Sequence, residues 1–253
     1  GFLPRGDIMD YGEWELIFED HFNGKDINRD IWNFEEGFIR NHEPQYYTDR
    51  PENARIDNGE LIIVTRREEY KGASYTSASL NTQGKREFMY GLLEIRAKLP
   101  HGRGIWPAFW TLGSDFGKND WPLCGEIDIL ETIGNKNGDR DASIDVTLHW
   151  KSEITGEHDL VTKKYHYSGN PLWKEYHTYA IDWSEERIVW LLDGEMIFSA
   201  VITDEMQGCF NQPHFVLLNT ALSDFNDDER PDETTPLPQE YRIDYLRVYK
   251  KCK

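Results

Sequence analysis

Glu126, Asp128 and Glu131 fall within six residues, Glu126-Ile127-Asp128-Ile129-Leu130-Glu131, with Gly125 before them and Thr132 after. Ile127, Ile129 and Leu130 favour a strand, on which side chains alternate between faces. Glu126 and Asp128 then share a face and Glu131 points the other way. Leu130 also falls out of step with Ile127 and Ile129. One extra residue near Ile129–Leu130 repairs both faults, because a β-bulge returns Glu131 to the face of the other two acids. Crowded carboxyls cannot all ionise freely, so at least one should have its pKa raised. A protonated acid beside an ionised carboxylate is what hydrolysis of a glycosidic bond requires. A retaining mechanism holds its two working carboxyls about 5–5.5 Å apart. Four strand steps span about 13 Å, so the long glutamates must lean together, with Asp128 between them bonding and tuning the nucleophile. Taken alone, the segment can also be read as an acidic strand facing solvent or binding calcium.

Just ahead of the acids lies Gly104-Ile105-Trp106-Pro107-Ala108-Phe109-Trp110-Thr111-Leu112. Alternation puts Trp106, Ala108 and Trp110 on one face, and Ile105 and Phe109 on the other. The first face offers two indoles either side of a small residue, a shape suited to stacking on pyranose rings. The second reads as core. Trp121 and Pro122 stand directly before Gly125. Ordinary core tryptophans are the plain alternative for all three indoles.

The elements that hold these residues must be strands. Twelve short β-branched or aromatic runs, among them 75–80, 89–99, 105–112, 126–132, 187–192 and 195–202, are separated by Gly, Asn, Asp and Pro. That pattern predicts an all-β sandwich or barrel. Asp57-Asn58-Gly59 and Asp193-Gly194 are hairpin turn signals. Segments 35–53 and 223–240 read as long loops, the second as solvated surface. No linker, repeat or boundary divides the chain, so one domain over 1–253 is expected.

Composition narrows the function. The chain has 253 residues, with 28 Lys and Arg against 46 Asp and Glu, a formal charge of −18. Such a chain has no general attraction for a phosphate backbone, so no nucleic-acid partner is expected. Aromatics at 13% argue against disorder. No stretch approaches the roughly 18 apolar residues of a membrane span, so no membrane partner is expected. Cys124, Cys209 and Cys252 are an odd set without a Cys-x-x-Cys pair, which predicts unpaired or buried thiols.

Glu-Ile-Asp-Ile-Leu-Glu after Trp121-Pro122-Leu123-Cys124-Gly125 resembles the signature of glycoside hydrolase family 16, closest to its laminarinase-like endo-β-1,3-glucanases. The likeness runs along nearly the whole chain. It includes Gln45-Tyr46-Tyr47-Thr48, Asp57-Asn58-Gly59-Glu60-Leu61, the Trp-Pro-Ala-Phe-Trp run, His149-Trp150 and Ile243-Asp244-Tyr245-Leu246-Arg247-Val248-Tyr249. The ordered set is specific, whereas any single piece is weak.

The resemblance implies a concanavalin A-like β-jelly-roll sandwich with a curved, concave substrate cleft. It implies a retaining mechanism with Glu126 as nucleophile, Glu131 as acid/base and Asp128 assisting. His149 would support the acid/base region. Asn41, Glu43 and Gln45 would reach the sugar on one side, and Arg86 would be a further cleft residue. One structural calcium is implied, with Glu19, the carbonyl of Gly59 and Asp244 as ligands, although His21 stands where an acid is expected. No catalytic cofactor is implied. The extra residue before Glu131 matches the subgroup of laminarinases, agarases and carrageenases. Thr220-Ala221-Leu222 replaces the Gly-Gly found in many laminarinases.

The expected partner is therefore a polysaccharide, β-1,3-glucan or mixed β-1,3/1,4-glucan. The competing readings are a non-catalytic β-glucan-binding module and an enzyme acting on agar or carrageenan. A monomer is expected, placed outside the cell, in the periplasm or at the cell surface. The first residues, Gly1 to Gly6, lack the form of a signal peptide, so any leader would already be removed.

Overall fold

The computed structural model describes residues 11–253. Expectations that touch residues 1–10, on a leader and on where the domain begins, lie outside the described residues. The first part of the chain forms β1 (Trp14–Asp20), β2 (Asn33–Glu35), β3 (Gln45–Tyr47), β4 (Ala54–Asp57), β5 (Glu60–Tyr70) and β6 (Ala73–Ser77). Then come β7 (Ser79–Asn81), β8 (Glu87–Phe88), β9 (Gly91–Lys98), β10 (Ile105–Gly113), β11 (Glu126–Glu131) and β12 (Ser143–Lys151). The last part forms β13 (His158–His166), β14 (His177–Trp183), β15 (Arg187–Leu192), β16 (Glu195–Val201), β17 (His214–Leu222) and β18 (Gln239–Lys251). No helix among the described residues is long and apolar enough to cross a membrane.

The strands make two sheets. One has ten strands in the order β16-β15-β14-β9-β18-β5-β6-β3, with β1 added on β18 and β4 on β5. The other has eight in the order β13-β12-β11-β10-β17-β7-β2, with β8 on β17. The neighbours of β11 on both sides are antiparallel. Both expected hairpins close with left-handed turn residues, Asn58-Gly59 between β4 and β5 and Asp193-Gly194 between β15 and β16.

Period-two alternation builds the core between the sheets. Leu93, Ile95 and Ala97 of β9, Tyr179, Ile181 and Trp183 of β14 and Ile188, Trp190 and Leu192 of β15 contribute from the ten-stranded sheet. Phe109 of β10, Ile127 of β11, Val146, Leu148 and Trp150 of β12 and Val216 and Leu218 of β17 meet them from the eight-stranded sheet. Burying a side chain of this size contributes about 1.5–3 kcal/mol. The architecture is the all-β jelly-roll sandwich expected from the strand pattern and the resemblance.

Several sequence readings need correction. The run expected as one strand at 75–80 is two, β6 in one sheet and β7 in the other, and the chain changes sheets at the fully buried Ala78. The expected loop 35–53 contains β3, which pairs parallel with β6. Segment 223–240 is not a free solvated loop. Arg103 pairs with Asp232 and Arg140 with the buried Glu229, and the Ser223 amide donates to the Gly104 carbonyl at 2.9 Å. Strand β13 was absent from the sequence reading because its residues, His-Asp-Leu-Val-Thr-Lys-Lys-Tyr-His, are mostly exposed at the edge of a sheet and carry no apolar alternation. Cys124 and Cys209 are buried and Cys252 is exposed, all three free.

Candidate active site

The register of β11 places the three acids. Against β10, Glu126 faces Leu112, Asp128 faces Trp110 and Glu131 faces Ala108. Against β12, the same acids face His149, Thr147 and Asp145. The register shifts between Asp128 and Leu130 against β10 and between Asp128 and Glu131 against β12, and the first ladder leaves Ile129 as the extra residue. This is the expected bulge. Ile127, Ile129 and Leu130 all pack in the core, and the three carboxyls emerge on the opposite face of the sheet. Trp190 of β15 reaches across the core and donates its indole N–H to the Asp128 carbonyl at 2.9 Å, beside the break in the ladder. Gly125 enters the strand with φ of 78°, and a Cβ there would stand 2.9 Å from the Cys209 carbonyl oxygen, so only glycine fits.

Asp128 is 1% exposed and lies between Glu126 and Glu131 on one face of the strand, so the three carboxyls raise one another's pKa values. Burial raises the pKa of Glu126 well above the usual carboxylate value, and the neighbouring Asp128 adds to it. Burial likewise raises Asp128, with Glu131 adding. Glu131 is pushed up to about 8, first by burial and then by the charge of Glu126. The three acids titrate as one group. Each glutamate also receives one indole N–H. Trp106 donates to Glu131 Oε1 at 3.0 Å, and Trp121 to Glu126 Oε2 at 2.6 Å. Both bonds favour the ionised form. His149 Nε2 lies 3.1 Å from Asp128 Oδ2, and burial lowers the pKa of His149.

The indoles are not equivalent. Trp106 is half-buried, and its ring lies 5.2 Å from that of Phe225, which is 58% exposed. Trp110 was expected as an open platform, but it is buried with Ala108, Leu112, Phe215 and Leu217. Its N–H donates to Asn219 at 2.7 Å, and the Arg40 guanidinium lies 5.0 Å from its ring centre. Arg40 is held in turn by both oxygens of Glu35 at 2.8 and 2.9 Å. Trp121 is exposed and leans on two imidazoles, those of His149 and His158. Sequence reading missed Phe225, Trp190 and His158. A lone aromatic in an irregular segment, a core indole and a histidine on an edge strand carry no periodic signal.

The remaining expected site residues have other duties. Asn41 and Gln45 donate to the two oxygens of Glu43 at 3.0 and 2.9 Å. Gln45 is fully buried and accepts the Leu222 amide at 2.8 Å, so it pins β3 to β17 rather than waiting for a ligand. Arg86 does not join the acids: its guanidinium lies over Phe18 of β1, 5.5 Å from the ring centre. The arrangement of Glu19 and Asp244 does not fit the expected calcium. His21 and Arg247 take the Glu19 carboxylate at 2.8 and 3.4 Å, and Arg96 takes Asp244 at 2.9 Å. A calcium site is built from oxygen ligands, and these carboxylates already carry cationic partners. Among the described residues, Glu126, Asp128 and His149 do converge within 4.8 Å; Glu126 already accepts the Trp121 N–H and His149 Nδ1 already meets His158.

A half-buried acid with a pKa near 8, coupled to a second glutamate through an aspartate, can act as proton donor to a leaving oxygen while the second attacks. Comparison with known proteins agrees with that chemistry. The family model described as glycosyl hydrolases family 16 matches residues 41–247. The chain is 36% identical to a beta-glucanase of Rhodothermus marinus, across 94% of this chain and 85% of that protein. It is 29% identical to glucan endo-1,3-beta-glucosidase A1 of Niallia circulans, across 93% of this chain but only 38% of that longer protein. Its fold superimposes on the laminarinase catalytic domain of Thermotoga maritima MSB8 with a TM-score of 0.83 and 37% identity, covering 95% of this chain and all of that one.

Proposed function

The chain belongs to the glycosyl hydrolases of family 16, and from that premise we propose that it is a retaining endo-β-glucanase that cuts β-1,3-glucan, mixed-linkage β-1,3/1,4-glucan, or both. The observation that carries this reading is the bulged strand β11, which brings Glu126, Asp128 and Glu131 to one face with an indole N–H on each glutamate. Glu126 attacks the anomeric carbon, and Glu131 gives its proton to the departing glycosidic oxygen. The Glu131 carboxylate then takes a proton from water, whose oxygen attacks the anomeric carbon and frees Glu126. Burial raises both glutamates and holds a proton on Glu131, while at Glu126 the Trp121 N–H and His149 work against that rise and favour the charge a nucleophile needs. Trp106 supports the Glu131 carboxylate in the second half of the cycle. Trp106 and Phe225 offer an aromatic edge to the sugar chain.

Relatives named for cleavage of β-glucans support the substrate. So does charge. Lys164 is engaged by both oxygens of Asp145 at 2.7 Å, and Arg40 by Glu35. A sulfated galactan would need free cations beside the acids. Action on a glucan polymer supports a place outside the cell, in the periplasm or at the cell surface. The deciding measurement is product release from laminarin, barley β-glucan, lichenan, agarose and carrageenan. Reducing ends from the first three, with oligosaccharides appearing early, are expected. Release from the galactans alone, or from none of the five, would sink the proposal.

A further inference from the structure

His158 opens β13 at the sheet edge and is exposed. The ladder pairs it with Lys151, so its side chain meets His149 diagonally across β12 and β13. Its Nε2 lies 3.0 Å from His149 Nδ1, and the two rings stack 5.2 Å apart with 23° between their planes. The Trp121 ring lies 4.7 Å from His158 and 5.7 Å from His149. His149 in turn reaches Asp128, and Trp121 reaches Glu126. His158 thus contacts both side chains that steady the acids from this side.

A hydrogen bond between two imidazoles couples their tautomers. His149 Nε2 lies 3.1 Å from Asp128 Oδ2, and a carboxyl oxygen in the accepting role calls for the proton on Nε2. Nδ1 of His149 is then an acceptor, and the bond requires His158 to present Nε2–H. We propose that His158 is a positioning residue for the reaction: it donates Nε2–H to His149 Nδ1 and, through that bond and its contact with Trp121, holds His149 on Asp128 and the Trp121 indole on Glu126. This rests on the reading of Glu126 and Glu131 as the working pair and adds a third layer behind them. Partners that orient an active-site histidine are worth about 10–100-fold in activity in metal sites, and an imidazole held against a carboxylate is a similar case.

The test uses the full chain with His158→Ala and His158→Gln, read by nitrogen-15 NMR of the imidazole rings and by kcat and KM on laminarin. In the unmodified protein His149 should be almost entirely the Nε2–H tautomer. His158→Ala should move its ring shifts toward a tautomer mixture and lower kcat about tenfold, with KM changed less than about twofold. The melting temperature should hold, because the side chain is exposed. His158→Gln, whose amide N–H can replace the donor, should recover most of kcat and the tautomer. Ring shifts of His149 unchanged in His158→Ala would overturn the proposal, as would a loss expressed in KM that Gln does not restore. The ring spectrum needs no turnover, so failure of the glucanase reading, seen as an unmodified protein inert on every glucan, is separate from failure here.

Discussion

Trp106 and Trp121 each place one N–H on one glutamate, yet the two glutamates need opposite protonation states at the first step. Trp121→Phe removes a bond that favours charge on the nucleophile, and Trp106→Phe one that favours charge on the acid. Loss of the Trp106 bond should raise the Glu131 pKa. The alkaline limb of kcat/KM, set near pH 8 by Glu131, should then move to higher pH in Trp106→Phe, a sign a pH–rate profile checks. Glu126→Gln should lower kcat on laminarin by at least about a thousandfold while glucan binding persists, measured by calorimetry beside reducing-end release. Stability gives a third test. The folded Glu131 pKa of about 8 lies above its ordinary 4.5, so the folded state holds that proton more tightly than the unfolded chain. The resulting stability is full below about pH 4.5 and is lost as pH rises through about 8. Glu131→Gln should accordingly melt several degrees above the unmodified protein at pH 9 and near it at pH 4, at about 2–4 °C per kcal/mol. The acids and Trp106 were legible because spacing on a strand fixes which side chains share a face, and Trp121 because it stands in the turn just before the acidic strand. Phe225 and His158 were not, because their positions depend on where distant strands bring them.

At the scale of one element, the bulge in β11 was legible as a conflict: three acids and three aliphatics that no regular strand could sort. The ladders give that conflict a single owner. With Ile129 removed, Asp128, Leu130 and Glu131 would fall in unbroken register against Trp110, Phe109 and Ala108, and against Thr147, Val146 and Asp145. Deleting Ile129 should therefore keep every acid on its present face and leave a folded protein by circular dichroism. It should be destabilised by about 2–5 kcal/mol for the lost core side chain. Inserting Ala after Ile129 should instead turn Glu131 or Leu130 to the wrong face and reduce activity below about 1%. Equal behaviour of the two variants would count against the register argument. Strand β13 shows the limit of such reading. Its pairing comes from backbone bonds to β12, which no side-chain period announces.

Across the whole molecule, the charge of −18 is consistent with a neutral polymer as ligand, and the acids that matter are three, Asp128 buried and Glu126 and Glu131 half-buried. The segment after β17 was misread because acidic, proline-rich sequence looks solvated, while its Glu229 is 5% exposed and held by Arg140 and Asn226. Arg140→Ala should strand that carboxylate and cost about 1–3 kcal/mol in denaturant unfolding, discounted because Arg140 is itself partly exposed. The ten-stranded sheet has one more property. Its strand β18 lies between β9 and β5 and also carries β1, pairing Trp14 with Lys251. A central strand is thus supplied by residues 239–251, and among the described residues β1 pairs with no other strand. Contacts of such long range make folding slow. During synthesis, the apolar faces of β5, β9 and β14 must wait beside one another with their middle strand missing. That interval, rather than the finished enzyme, is where a chain rich in aromatic strands is most exposed to aggregation.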